Sequence, residues 1–262
     1  MRPHVAAVYA FARVADDIAD EGREPAAVRQ ARLRAWQHQL HVAAVSETGS
    51  RPTDGRDDLI FTALGHSIRS LDLPLSLFDD LLSAFDQDIT TNRYDSWPHV
   101  MDYCRRSANP VGRLVLRIAG YRDDALNRSS DALCTALQLT NFWQDFGRDW
   151  RMGRLYVPRE AFESCGALES DLAIGRMSPA WGQALNACFD VTRARFEAGR
   201  AVCDGVCGRL RLELRLTWHG GWRVLERVQA HQLTLLDDRP TLGARDVARL
   251  LWRAARWEGT AV

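Results

Sequence analysis

The stretch LQLTNFWQDFGRDWRMGRLYVPRE, residues 137–160, reads as helix over its first half and limits any fold built around it. Asn141, Asp145 and Asp149 recur every four residues, set among Phe142, Trp143, Phe146 and Trp150. Side chains four apart share one helix face, with about 6 Å of rise between neighbours. The three therefore form a polar ladder about 12 Å long, and Gln138 sits one turn before Asn141 on the same side. The aromatic residues on both flanks of this ladder suit an interior wall better than a solvated surface.

A second ladder lies near the N-terminus, in VYAFARVADDIADEG. Tyr9, Arg13 and Asp17 are spaced four apart, and Asp16 and Asp20 repeat that spacing on an adjoining stripe. Taken singly, each stripe is accounted for by a solvated face with local pairs such as Arg13–Asp17. Taken together, four carboxylates lining a bundle interior would repel one another and be costly to desolvate. A divalent cation removes that cost. Oxygen donors without nearby His or Cys favour a hard ion such as Mg²⁺. Mg²⁺ takes one or two carboxylates and completes its shell with water and phosphate oxygens. The paired ladders thus predict a phosphorylated ligand, and their apolar flanks predict that the rest of it is greasy. A prenyl diphosphate meets both conditions.

Composition narrows the alternatives. All 34 basic residues are Arg, which removes lysine Schiff bases, lysine-anchored pyridoxal phosphate and a P-loop. Any phosphate must be held by guanidinium groups, backbone or metal. A formal net charge of zero argues against nucleic acid as the main partner. Six Cys show no CxxC pair and no zinc-ligand spacing, so they read as buried free thiols. No run is long and apolar enough to span a bilayer, and no secretory signal is visible. A cytoplasmic protein is expected, with peripheral membrane contact left open.

Helical periodicity dominates, and 262 residues with 46% hydrophobic content suffice for a large core. Helices are expected over 3–20, from Pro25 to about 45, and over 58–71, 75–91, 97–119, 129–151, 179–208, 215–236 and 243–256. Gly22 should close the first, and a polar loop, SETGSRPTDGRDD, should follow the second. RLYVP is the best strand candidate. Pro110 should break the helix at Asn109, either as a packing solution or to open space for a ligand. Gly220–Gly221 reads as a break, and DDRPTLGARD as a turn and helix cap. Trp218 and Trp222 read as core or as the deep end of a channel, and His219 as packing or surface. The expectation is a single all-α domain, a helical bundle around an apolar cavity.

These residues carry a resemblance. YAFARVADDIAD resembles the first aspartate-rich motif of the squalene/phytoene synthase family, and QLTNFWQDFGRDWRMGRLYVP resembles the second. YCRRSANPVG occupies the place of the tyrosine-led segment between them, so most of the chain is covered. NFWQD and YCRRSANPVG look most like the bacterial hydroxysqualene synthase branch of hopanoid biosynthesis. The resemblance implies Asp16, Asp20, Asp145 and Asp149 as metal ligands, with Asn141 the amide one turn before the second pair. It implies Tyr9 and Arg13 in catalysis and diphosphate binding, and Arg154 reaching the diphosphate. Gln138 and Tyr103 are implied to line the site, and Ala108, Val111 and Gly112 to form its apolar wall.

Two departures stand out. The family usually has Arg where this chain has Gln144, and Met1 falls directly at the first motif, so the N-terminal helix of the family is expected to be missing. The expected reaction is Mg²⁺-dependent conversion of presqualene diphosphate and water to hydroxysqualene and diphosphate. Head-to-head condensation of two prenyl diphosphates is the enzymatic alternative, for which Gln144 speaks modestly against. A non-catalytic assembly protein of the same fold is the other, though such a protein would be expected to lose the acids. No dinucleotide fingerprint is present.

Overall fold

A computed structural model describes residues 1–20, 24–46 and 55–257. In chain order the helices are α1 (Arg2–Asp20), α2 (Ala26–Val45), α3 (Arg56–Leu71), α4 (Leu75–Asp88), α5 (Trp97–Ser107), α6 (Asn109–Ile118) and α7 (Asp124–Gln144). There follow α8 (Phe146–Arg151), α9 (Arg159–Ser164), α10 (Glu169–Ala173), α11 (Pro179–Ala198), α12 (Val202–Gly205), α13 (Gly208–Ala230) and α14 (Ala244–Ala255). Among the described residues there is no β-strand. RLYVP contributes only an isolated bridge between Arg93 and Leu155. The fold is all-α, as expected. Gly22 and most of the loop expected after α2 lie outside the described residues.

The chain gathers into two compact units, Met1–Thr91 with Arg106–Arg122, and Asn92–Arg105 with Asp123–Val262. In the first, α1 buries Ala7, Val8, Phe11, Ala15, Ile18 and Ala19, spaced so that they share one face. Phe11 is the pivot, fully buried and in ring contact with Trp36, Phe61 and Phe78 from α2, α3 and α4. The α1 face opposite Phe11 carries Tyr9, Arg13, Asp16 and Asp20.

The break foreseen at Pro110 is present. Helix α5 ends at Ser107, and Ala108 caps α6, with Pro110 in its first turn, where a missing N–H costs nothing.

In the second unit α7 packs against α11 and α13. Asp123 caps it, accepting from the Leu126 N–H at 2.8 Å. Trp143 is fully buried and donates from Nε1 to Thr192 Oγ1 of α11 at 2.8 Å, so its one polar atom is satisfied. Helix α13 corrects one expectation, because it runs unbroken through Gly220–Gly221. A Cβ on Gly221 would stand 2.4 Å from Leu137 Cδ2 and 2.9 Å from Phe196 Cζ. Glycine here permits close packing, and that contact outweighs its modest helix penalty. Trp218 is buried and donates to the Phe196 carbonyl, which places it in the core. The Cys residues are all free thiols, and burial pushes Cys104 and Cys203 up to about 12, so neither ionises at neutral pH. Cys207 alone is exposed.

Helix α14 is tied to α13 by charge. Asp246 is buried, accepts from the Gly243 N–H at 2.8 Å, and pairs with Arg223 at 3.3 Å and Arg227 at 2.8 Å. The Gly243 amide, followed by the two guanidinium groups, holds its carboxyl below the usual range despite desolvation.

Two outcomes are expected. Phe11→Ala removes a ring that three helices share and should cost about 3–5 kcal/mol in urea unfolding. The folded pKa of Asp246 is depressed, so its contribution is full above the unfolded value of about 4 and fades as pH falls through the folded value. The difference in melting temperature between wild type and Asp246→Asn should therefore be largest near neutrality and shrink in acid.

Candidate active site

The second stripe keeps its geometry across a helix joint. Asp145 stands between α7 and α8, yet its N–H bonds the Asn141 carbonyl at 2.8 Å, and the Asp149 N–H bonds the Asp145 carbonyl at 2.8 Å. The four-residue hydrogen-bond register therefore passes through the joint and leaves Asn141, Asp145 and Asp149 on one face. Asn141 Nδ2 donates to Asp145 Oδ2 at 3.1 Å, which leaves its amide oxygen as an acceptor. Gln138 lies one turn earlier. The Arg154 N–H bonds the Asp149 carbonyl at 2.8 Å and carries that arginine to the end of the same run.

A guanidinium that sequence reading missed completes this end of the unit. Arg239 forks onto Asp145, with Nε on Oδ1 and Nη2 on Oδ2 at 3.3 Å. The Asp145 bond, with Asp149 adding to the field, raises Arg239 above its ordinary pKa, so it is a permanent cation. Three contacts hold the segment that delivers it. Gln144 Nε2 donates to the Pro240 carbonyl at 2.6 Å, and Arg151 Nη1 to the Leu236 carbonyl at 2.6 Å. Gly147 admits the backbone, since a Cβ there would stand 2.2 Å from the Leu236 oxygen and 2.4 Å from the Leu235 oxygen. Gln144 thus anchors the loop that brings Arg239 to Asp145. No periodicity links two residues 94 positions apart; the Arg-Pro step signals a turn and nothing more.

Behind the stripe is an aromatic cluster. Phe142 and Tyr156 stack at 3.8 Å, and Tyr94 and Tyr103 flank the pair at ring separations of 5.5–6.2 Å. Tyr103 is buried within it. The Leu155 N–H to Asn92 carbonyl and Arg159 N–H to Tyr94 carbonyl bonds hold the two strips of chain that supply Tyr94 and Tyr156.

The first unit carries the other predicted residues. On α1, Arg13 pairs with Asp16 at 3.1 Å and with Asp17 at 2.7 Å, so the local pairing considered for this stripe is present. Tyr9 is exposed, as is Asp20. Ala108 is buried at the start of α6, Val111 is exposed, and Gly112 is half-buried one position later.

Among the described residues no three His, Cys, Asp or Glu side chains are gathered closely enough to hold a metal ion. What each stripe offers is paired carboxylates, joined on α7 by an amide. That oxygen donor set fits an ion that takes few protein ligands and fills its shell with water and phosphate.

The family model for squalene/phytoene synthase matches residues 1–246. A hydroxysqualene synthase of Zymomonas mobilis is 42% identical over 65% of this chain and 54% of its own length. One from Rhodopseudomonas palustris is 32% identical over 87% of this chain and 75% of that protein. Among solved structures, the squalene synthase HpnC from Alicyclobacillus acidocaldarius superposes with a TM-score of 0.80 at 38% identity, covering 88% of this chain and 83% of that one. The all-α fold is that of this solved structure. The chain belongs to the squalene/phytoene synthase family. Its match to the Zymomonas relative spans about half of that protein's length.

Arg239→Gln is expected to leave the helical signal intact and to tighten Mg²⁺ binding in the absence of diphosphate. A cation on Asp145 would have to displace Arg239, and a partly exposed pair is worth a factor of roughly two to five. Calorimetric titration of both proteins checks this, and unchanged or weaker binding would show that Arg239 does not restrain Asp145.

Proposed function

We propose that this chain converts presqualene diphosphate and water to hydroxysqualene and diphosphate. The carrying observation is the end of α7, where Asn141, Asp145 and Asp149 stand with Arg239 on a helix backed by Phe142, Tyr103 and Tyr156. Carboxylates beside guanidinium groups suit a metal-bridged diphosphate, and the aromatic backing suits a hydrocarbon. The similarity to hydroxysqualene synthases favours this substrate among those of the family.

Asp145 and Asp149 with Asn141, and Asp16 with Asp20, are the residues that would hold Mg²⁺, each set on its own helix run. Bound there, Mg²⁺ would neutralise the charge that grows on a departing diphosphate. Arg13 and Arg154 are assigned to the diphosphate oxygens, stabilising the same charge. Arg239 would be a third cation for that purpose. As the C–O bond breaks, its electron pair leaves with diphosphate, and the cyclopropylcarbinyl cation rearranges; Ala108, Val111 and Gly112 of the first unit are assigned to the hydrocarbon, as is Tyr103 of the second. A water oxygen then bonds to carbon and its proton passes to the released diphosphate, with Tyr9 assigned to position that water or the diphosphate. Gln138 is assigned to the site lining beside Asn141. No hydride donor takes part.

Mass-spectrometric product analysis with Mg²⁺ and presqualene diphosphate should yield hydroxysqualene, equally with and without NADPH. Asp149→Asn should lower that rate by roughly a hundredfold or more, as loss of one preorganised electrostatic group does. Presqualene diphosphate or a C40 hydrocarbon from simple prenyl diphosphates would overturn the proposal in favour of condensation; a phytoene synthase is 35% identical over 61% of this chain.

A further inference from the structure

Helix α14 presents an unusual outer face. Its inner side, with Asp246 and Ala254, is buried. On the outer side Val247, Leu251 and Trp252 are 54%, 50% and 56% exposed, and Ala248 and Ala255 fill the stripe between them. Along one edge of that stripe run Arg245, Arg249 and Arg256, all exposed, with the Arg256 guanidinium 4.9 Å from the Trp252 ring centre. Their spacing places the three on one side of the helix. The only carboxylate of α14, Asp246, is consumed by Arg223 and Arg227. Among the described residues Arg245 and Arg249 make no ion pair. A chain of zero net charge thus concentrates exposed cations beside exposed apolar side chains on one short helix.

We propose that this face of α14 docks the protein on an anionic lipid bilayer. Val247, Leu251 and Trp252 would enter the boundary between headgroups and acyl chains, and Arg245, Arg249 and Arg256 would meet the lipid phosphates. Interfacial helices have this form, with Trp and Leu on one side and Arg beside them. Trp is also suited to the headgroup level, with an apolar body and one N–H. Among the described residues no helix is long and apolar enough to cross a membrane, so the contact is peripheral. A second copy of the chain fits less well. A two-fold contact through this face would set like rows of guanidinium groups against each other, with no exposed acid on α14 to answer them. The inference is independent of the substrate assigned above.

The test is flotation of the full chain with vesicles of phosphatidylcholine alone and of phosphatidylcholine mixed with phosphatidylglycerol. Binding is expected to the mixed vesicles, and to weaken as salt is raised. Leu251→Glu should abolish it, and Arg245→Gln with Arg249→Gln should weaken it by roughly tenfold or more. Both variants alter exposed side chains, and unchanged circular dichroism and melting would confirm that they fold. The Trp252 emission should shift to the blue on binding, seen as the difference between wild type and Trp252→Phe. The proposal is overturned if neither vesicle binds at low salt, or if Leu251→Glu floats as well as wild type. It is equally overturned if sedimentation shows a dimer that Leu251→Glu disperses while vesicles stay bare.

Discussion

The hydrogen bonds that carry α7 into α8 set the chemistry of the second unit. Asp145 ends one helix and begins the next, and a residue in that position could easily swing its side chain off the stripe. Two backbone bonds of 2.8 Å, from Asp145 to Asn141 and from Asp149 to Asp145, keep the register. Because the register holds, Asn141 reaches Asp145, and Phe142 and Phe146 still point into the core. Had the joint slipped by one residue, the carboxylates would have rotated by about 100° toward the aromatic side. Trp143, fixed by burial and by Thr192, guards against that slip from the opposite side of α7.

The same joint explains how Gln144 differs from an arginine. An arginine there would bring a guanidinium on α7 itself. This chain has an amide that grips the Pro240 carbonyl and draws in Arg239, from the segment following α13. The cation at Asp145 is carried here by a loop, held by Gly147, Arg151 and Gln144. A guanidinium on a loop can leave Asp145 at smaller cost than one on a helix, because no helical backbone must move with it. Release of Asp145 by Arg239 would therefore need a loop adjustment and side-chain rotation, and α7 could stay where its core packing holds it.

What was legible in the sequence was local or periodic. The helices follow from apolar spacing, and the break at Ala108 follows from the ring of Pro110, whose effect reaches only its neighbours. The stripe of Asn141, Asp145 and Asp149 could be read because the helix repeat is fixed. Gly220–Gly221 was misread because the cost of glycine in a helix is local, whereas its benefit lies in Leu137 and Phe196, far away in the chain. RLYVP has strand-like residues but finds only Arg93 as a bridge partner, and strand pairing depends on what lies opposite. Arg239 was hidden for the same reason: its importance comes from a tertiary contact with no trace in the spacing around it.

Helix α14 combines both kinds of information. Its amphipathic pattern is periodic, but the pattern alone does not say which side faces inward. Asp246 decides it. A carboxylate that collects the Gly243 amide and two guanidinium groups from α13 is most stable when that side is buried. Turning Asp246 inward forces Val247 and Leu251 outward, since they lie one and five residues further round the helix. An ion pair chosen at the inner face thus leaves the apolar side chains exposed at the outer one. In a purely water-exposed helix that exposure has no compensating contact. At a bilayer surface, burying those same side chains is favourable by roughly 25 cal/mol per Å². The polar anchor of α14 and its apolar outer face are therefore two consequences of one rotational setting.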